Sequence, residues 1–252
     1  RVHQQTMRTS FYNASLFLAG QYHLENYWES PGRHFFLIHY GRDGELRWEI
    51  SGYSSYDDVD PICTITAPII GQNDTVYFTG GSHHLRAFNP DGDMLWAVRL
   101  WDCAMHEPLV GPDGVVYISD LAGILHAIAP DGEILWRTRV GYFFEPAGCW
   151  QPASATPLLT SDGYLIVPLW GGIIRVVRAE DGAIAYDITD DELIWQGPLF
   201  TPLMDDQGVL YINQDLWIIA IQTQHTGLAD GYWVRGFGNA RSNSSVTIPA
   251  SP

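Results

Sequence analysis

Short apolar runs, each closed by a polar turn, recur along the whole chain. In the clearest stretch, strands are predicted at about Glu107–Val110, Val115–Asp120, Ile124–Ala129 and Glu133–Val140. These runs are rich in β-branched and aromatic residues, which suit a pleated, packed surface. No segment keeps a 3.6-residue period over the length a helix needs. The turns between runs carry Asp-Gly, Asn-Asp or Gln-Gly, and Gly and Asn accept the positive φ of tight hairpins.

The pattern is a repeat. Asp43-Gly44-Glu-Leu-Arg-Trp48 returns as Asp91-Gly92-Asp-Met-Leu-Trp96 and as Asp131-Gly132-Glu-Ile-Leu-Trp136. Looser copies are Asp181-Gly182-Ala-Ile-Ala-Tyr186 and Asp230-Gly231-Tyr-Trp233. Successive Asp-Gly pairs lie 48, 40, 50 and 49 residues apart. A second phrase, beginning at Pro68, Pro108, Pro157 and Pro202, precedes each of the later copies. Self-similarity at this period marks a propeller or another array, and four antiparallel strands per repeat make a propeller blade.

The expected fold is therefore all-β, a propeller of about five four-stranded antiparallel blades or part of a larger one. Residues 1–252 are read as one domain, with blades at roughly 4–52, 65–101, 106–141, 154–189 and 199–238. The first blade is irregular. Its strands are expected at Gln4–Thr9, Leu16–Gly20 and His34–His39, with a polar and aromatic insertion from Gln21 to Arg33. The tail, 239–252, resembles a blade's first strand and is expected to close the ring or to pair with another subunit.

The runs Ala87-Phe-Asn-Pro-Asp-Gly92-Asp-Met-Leu-Trp96 and Ala127-Ile-Ala-Pro-Asp-Gly132-Glu-Ile-Leu-Trp136 resemble the tryptophan-docking repeat of the PQQ-like, quinoprotein-type β-propellers. The resemblance implies that each Trp packs between blades against a neighbour's Ala, with its indole N–H on a backbone acceptor. The docking residues would be Trp48, Trp96, Trp136, Tyr186 and Trp233. Their small partners would be Ala87, Ala127 and Ala220, with His39 and Val177 as departures. Dehydrogenases of the family have eight blades, PQQ and a calcium ion, often beside adjacent cysteines. This chain has about five repeats and no adjacent cysteine pair, so no cofactor, no metal and no catalytic residue is expected.

Charge narrows the partners. A formal charge of −16 lacks the basic footprint that nucleic acid requires, and no apolar stretch is long enough for a spanning helix. A chain opening at Arg1 rather than Met is expected of a processed form or a piece of a longer protein. Sequons at Asn13, Asn73 and Asn243 are candidate glycosylation sites if the protein is secreted from a glycosylating cell. Cys63 and Cys103 each lie five residues before a repeat's proline, and Cys149 lies eight before one. Two of the three are expected to form a disulfide, in keeping with an extracellular or periplasmic location. A metal role for the Cys103-Ala-Met-His106 spacing and free buried thiols are the alternatives.

Loops joining blades, and loops between second and third strands, fall at one end of each blade and are chemically rich. A ligand-binding face is expected there, comprising His83, His84, Trp101, Asp102, His106, Glu107, Tyr142, Phe144, Glu145, Trp150, Trp170 and Trp195. Three functions compete. The favoured one is a non-catalytic extracytoplasmic binding or scaffold module for a protein or glycan. The second is a self-assembling structural subunit linked through the tail. The third is an enzyme, either a quinone-dependent oxidoreductase or a glycoside hydrolase using Asp60, Asp102, Glu107 or Glu145, since such hydrolases need converging carboxylates.

Overall fold

The structure is a computed structural model. It describes residues 2–12, 15–24, 33–54, 66–80, 83–104, 106–144, 149–151, 153–170, 172–189, 201–214 and 217–230. Expectations for Asn13, Cys63, Glu145, Trp195, Trp233, Asn243, Asp60 and the tail 239–252 lie outside these residues. The chain divides into two compact units, Arg1–Met105 with Arg241–Pro252, and His106–Ala240.

The described residues are all-β apart from a single 3-10 turn at Gln72–Asp74. In the first unit, β1 (Val2–Tyr12), β2 (Ser15–Leu24), β3 (Arg33–Tyr40) and β4 (Leu46–Ser54) form one antiparallel sheet. A second sheet comprises β5 (Ile69–Ile70), β6 (Val76–Thr79), β7 (His84–Phe88) and β8 (Met94–Arg99). The other unit opens with a sheet of β9 (Leu109–Val110), β10 (Val116–Ser119), β11 (Ile124–Ile128) and β12 (Ile134–Arg139). A ribbon of β13 (Tyr142–Phe144) and β14 (Cys149–Gln151) follows. Then come a four-stranded sheet, β15 (Leu158–Leu159), β16 (Tyr164–Pro168), β17 (Ile173–Arg178) and β18 (Ile184–Thr189), and a three-stranded one, β19 (Leu203–Met204), β20 (Val209–Gln214) and β21 (Trp217–Gln222).

Two expectations change. The hairpin of the first sheet does not stop at Gly20. Pairing continues through Gln21↔Phe35, Tyr22↔His34 and His23↔Arg33, so the start of the supposed insertion is strand, carried on by an unbroken backbone ladder. The stretch from Gly141 to Ala155 is not a plain loop either, since Tyr142–Phe144 pairs with Cys149–Gln151.

Burial falls from inner to outer strands. All of β10 and β11 is buried, whereas β12 alternates exposed and half-buried positions after Leu135. Inner strands covered on both faces therefore read as continuous apolar runs, and outer strands read as alternating ones. Leu109, Leu125, Leu165, Val167 and Leu169 centre one core of the second unit. Phe17, Leu37, Ile70 and Phe78 centre that of the first. Each fully buried Leu or Ile contributes roughly 1.5–3 kcal/mol.

The repeated phrase is explained by its turns. Asp131 Oδ1 accepts the Glu133 N–H at 3.1 Å, and Asp181 Oδ1 accepts that of Ala183 at 3.0 Å, an Asx arrangement that tightens the turn. The glycine serves the preceding sheet's tryptophan. Gly182 has φ +74°, and a Cβ there would lie 2.6 Å from Trp136 Cε3. A Cβ on Gly92 would lie 2.9 Å from Trp48 Cγ. Each indole N–H crosses the same seam: Trp48 donates to Pro90 O at 2.8 Å and Trp136 to Ala179 O at 2.9 Å. Within its own sheet, Ala127 faces Trp136 and Ala87 faces Trp96 as cross-strand partners. In the fourth repeat that partner is Val176, not Val177. Its outer hairpin is one residue longer, closing with Arg178 N to Ala183 O where the third closes with Ala129 N to Glu133 O.

Candidate functional site

The loop-bearing ends of the sheets hold most of the described candidate residues. In the first unit, the loop between β6 and β7 meets the segment following β8. Leu100 N donates to His83 O at 2.7 Å and fixes that approach. His83 and His84 are half-buried, Asp102 is half-buried, and Trp101 is 65% exposed. Asp102 Oδ1 accepts the backbone N–H of Cys103 at 2.7 Å. Cys103 is fully buried and disulfide-bonded. Ligand atoms of His83, Asp102 and Cys103 all lie within 4.8 Å of one another, and His83 Nε2 is buried with no hydrogen-bond partner.

In the second unit, His106 and Glu107 lead into β9. Burial holds the His106 imidazole below its ordinary value, against the Glu107 charge and a backbone bond at Ala153 that favour its protonated form. Glu107 Oε2 accepts the Thr156 hydroxyl at 3.4 Å. Trp170, following β16, is 40% exposed. Tyr142 and Phe144 lie in β13, and Trp150 and Cys149 in β14. Asn73 is exposed at φ +53°, the left-handed conformation that asparagine tolerates in turns.

The opposite ends of the sheets carry clefts of their own. An open cleft of about 500 Å³ in the first unit is lined by His39, Arg42, Arg47, Trp48 and Asp91. His39 stacks on Phe17 at 4.3 Å and meets Trp48 edge-on at 5.2 Å. Burial, then the charge of Arg47, lowers its pKa. Arg47 itself is paired with Asp43 at 2.5 Å. A second cleft, about 450 Å³, lies in the other unit among Asp113, Tyr117, Leu135, Asp162, Tyr164 and Arg178. Its Arg178 is held in a two-pronged bond to Asp181 at 2.8 and 2.7 Å.

Two polar relays escape the sequence reading. His126 Nε2 lies 2.8 Å from Asp120 Oδ2, both side chains fully buried. Arg137 Nε donates to His126 Nδ1 at 3.2 Å, so Nε2 carries the ring proton and donates to the carboxylate. The second relay runs Asp162–His225–Tyr186, with 2.8 Å at His225 Nδ1 and 2.7 Å at Nε2. Burial favours the Asp162 carboxyl's neutral form, yet hydrogen bonds from His225 and Thr160 outweigh it and hold the pKa low. The first relay stays within one sheet, across β10, β11 and β12, and follows from strand register. The second joins residues 39 apart, and no local spacing announces it.

The fold so built is an all-β array of propeller type, and its repeats are PQQ-like. Residues 81–202 match the family described as outer membrane protein assembly factor BamB. No curated protein matches the chain. Among the described residues, no helix is long and apolar enough to cross a membrane.

Proposed function

We propose that the chain is a non-catalytic, extracytoplasmic β-propeller module that binds a protein partner through the loop-bearing ends of its sheets. The observation that carries this reading is the exposure of Trp101 and Trp170, at 65% and 40%. Each stands at the end of its own sheet that bears the loop between second and third strands. Large indoles left in water beside polar loops are the anchors that protein interfaces favour. Trp48 and Trp136 are taken up by seams between sheets, whereas Trp101 and Trp170 are not part of the repeat.

Two further facts support the reading. The matched family is described by its part in assembling outer membrane proteins, which favours a polypeptide over a glycan as partner. The disulfide at Cys103 suits an oxidising compartment. A photo-crosslinking residue placed at 101 or 170, with 133 as control, tests the proposal. Protein adducts at the first two positions and none at Glu133 are expected. Equal labelling at all three, or a glycan captured in place of a protein, would overturn it.

A further inference from the structure

We infer that the disulfide at Cys103 covers a latent site for a borderline-soft divalent cation, of the Zn²⁺ class, built from His83, Asp102 and Cys103. The three offer an imidazole nitrogen, a carboxylate oxygen and a sulfur within 4.8 Å of one another. Imidazole, thiolate and carboxylate are the donor types that zinc selects, and tetrahedral sites commonly leave one position to water.

The site is pre-arranged by the fold. The backbone bond from Leu100 N to His83 O, 2.7 Å, ties the β6–β7 loop to the chain leaving β8. The bond from Cys103 N to Asp102 Oδ1, 2.7 Å, orients the carboxylate. A carboxylate accepts up to about four bonds, so this one does not exclude a metal. His83 Nε2 is buried with no partner, an unsatisfied state that a cation would relieve.

Oxidation state gates the site. While Cys103 is disulfide-bonded, its sulfur carries no charge and is a poor ligand. A dithiol reductant delivers two electrons and two protons to the S–S bond. The products are the Cys103 thiol, the partner cysteine's thiol and the oxidised, disulfide form of the reductant. Metal then binds sulfur as the Cys103 thiol releases its proton. The same loop therefore has two states: a covalent staple under oxidising conditions, and a cation site under reducing ones.

Co²⁺ is a suitable probe, since thiolate ligation gives a near-ultraviolet charge-transfer band. The protein is reduced with dithiothreitol, desalted under nitrogen and titrated with Co²⁺, with circular dichroism recorded throughout. Reduced protein should develop the band at one equivalent, and Zn²⁺ should abolish it. Oxidised protein should not develop it. Asp102→Asn and His83→Gln leave the disulfide intact, so their fold can be checked in the oxidised state. Each should weaken Co²⁺ binding at least tenfold after reduction, and Cys103→Ser should remove the band. The inference is overturned by a band in the oxidised protein, by no band in reduced protein that keeps its β spectrum, by loss of that spectrum on reduction, or by variants that bind Co²⁺ as the parent does.

Discussion

The Tyr186 hydroxyl lies 2.7 Å from His225 Nε2, and the two rings stack with an interplanar angle of 7°. The third repeat places Trp136 at the equivalent position, its indole N–H on a backbone carbonyl across the seam. Tyr186 satisfies the next seam along with a hydroxyl and a histidine. Asp162 closes the relay at 2.8 Å. His225 is 2% exposed, so its nitrogens depend on these two partners.

Replacing Tyr186 by Phe keeps the ring and removes the hydroxyl. His225 Nε2 is then left buried and unpaired, which costs about 1–3 kcal/mol. Urea unfolding should show a loss in that range for Tyr186→Phe. Tyr211 bonds Asp205 at 3.1 Å on an exposed surface, so Tyr211→Phe should leave the unfolding midpoint nearly unchanged. Equal losses in the two variants would contradict the assignment.

Gly182 and Gly163 separate backbone strain from steric contact. Both have positive φ, +74° and +84°, but a Cβ on Gly163 meets nothing within 4 Å. A Cβ on Gly182 would lie 2.6 Å from both Trp136 Cε3 and Thr138 Oγ1. Gly163→Ala should therefore cost only the left-handed penalty, about 1–2 kcal/mol. Gly182→Ala should cost clearly more, because the Trp136 ring is wedged at the seam, and its tryptophan fluorescence should shift. Identical melting temperatures for the two variants would refute this.

The repeated phrase makes the turns, the strand order and the seam tryptophans legible, because each is a local pattern. Asp131, Gly132 and Trp136 announce a turn, a positive φ and an apolar anchor in one short run. Val176 as partner of Tyr186 is not legible, since a one-residue lengthening of a turn alters register without altering composition. The relays are hidden for a different reason. His225 and Asp162 gain meaning only when sheets distant in sequence meet. Of the candidate site, the loops carrying His83 and Asp102 are readable from strand alternation. Their convergence on Cys103 rests on the backbone bond between Leu100 and His83, which no motif encodes.

Acid should weaken the fold in two stages. His39 and His106 both titrate below the ordinary value of 6.5, each chiefly through burial. The unfolded chain then binds these protons more readily than the native one. Their contribution is intact above pH 6.5 and is lost as pH falls below it. Asp181 is held low by hydrogen bonds from Arg178 and Ala183, so its smaller, solvent-screened share is present above its ordinary value of 3.8 and lost only at lower pH. The denaturant midpoint should fall between pH 7.5 and 5.5, and His39→Ala should reduce that fall. Imidazole resonances of His39 and His106 with titration midpoints at or above 6.5 would reverse the prediction.

The Asp120–His126 pair sets the largest expected loss. Both side chains are fully buried, and Asp120 accepts twice, from His126 Nε2 at 2.8 Å and from Ile124 N at 2.9 Å. Arg137 fills the other ring nitrogen of His126, so the imidazole has no route to another acceptor if Asp120 is removed. Asp120→Ala strands one backbone donor and one ring donor in a dry hairpin, at about 1–3 kcal/mol each. Stability should fall by about 3 kcal/mol or more. Asp120→Asn keeps the size of the side chain and one acceptor oxygen and should recover part of the loss, whereas a merely space-filling role would let the isosteric asparagine recover all of it. Hydrogen exchange at the Ile124 amide provides the local reading: protection should vanish in the alanine variant and persist, weakened, in the asparagine one.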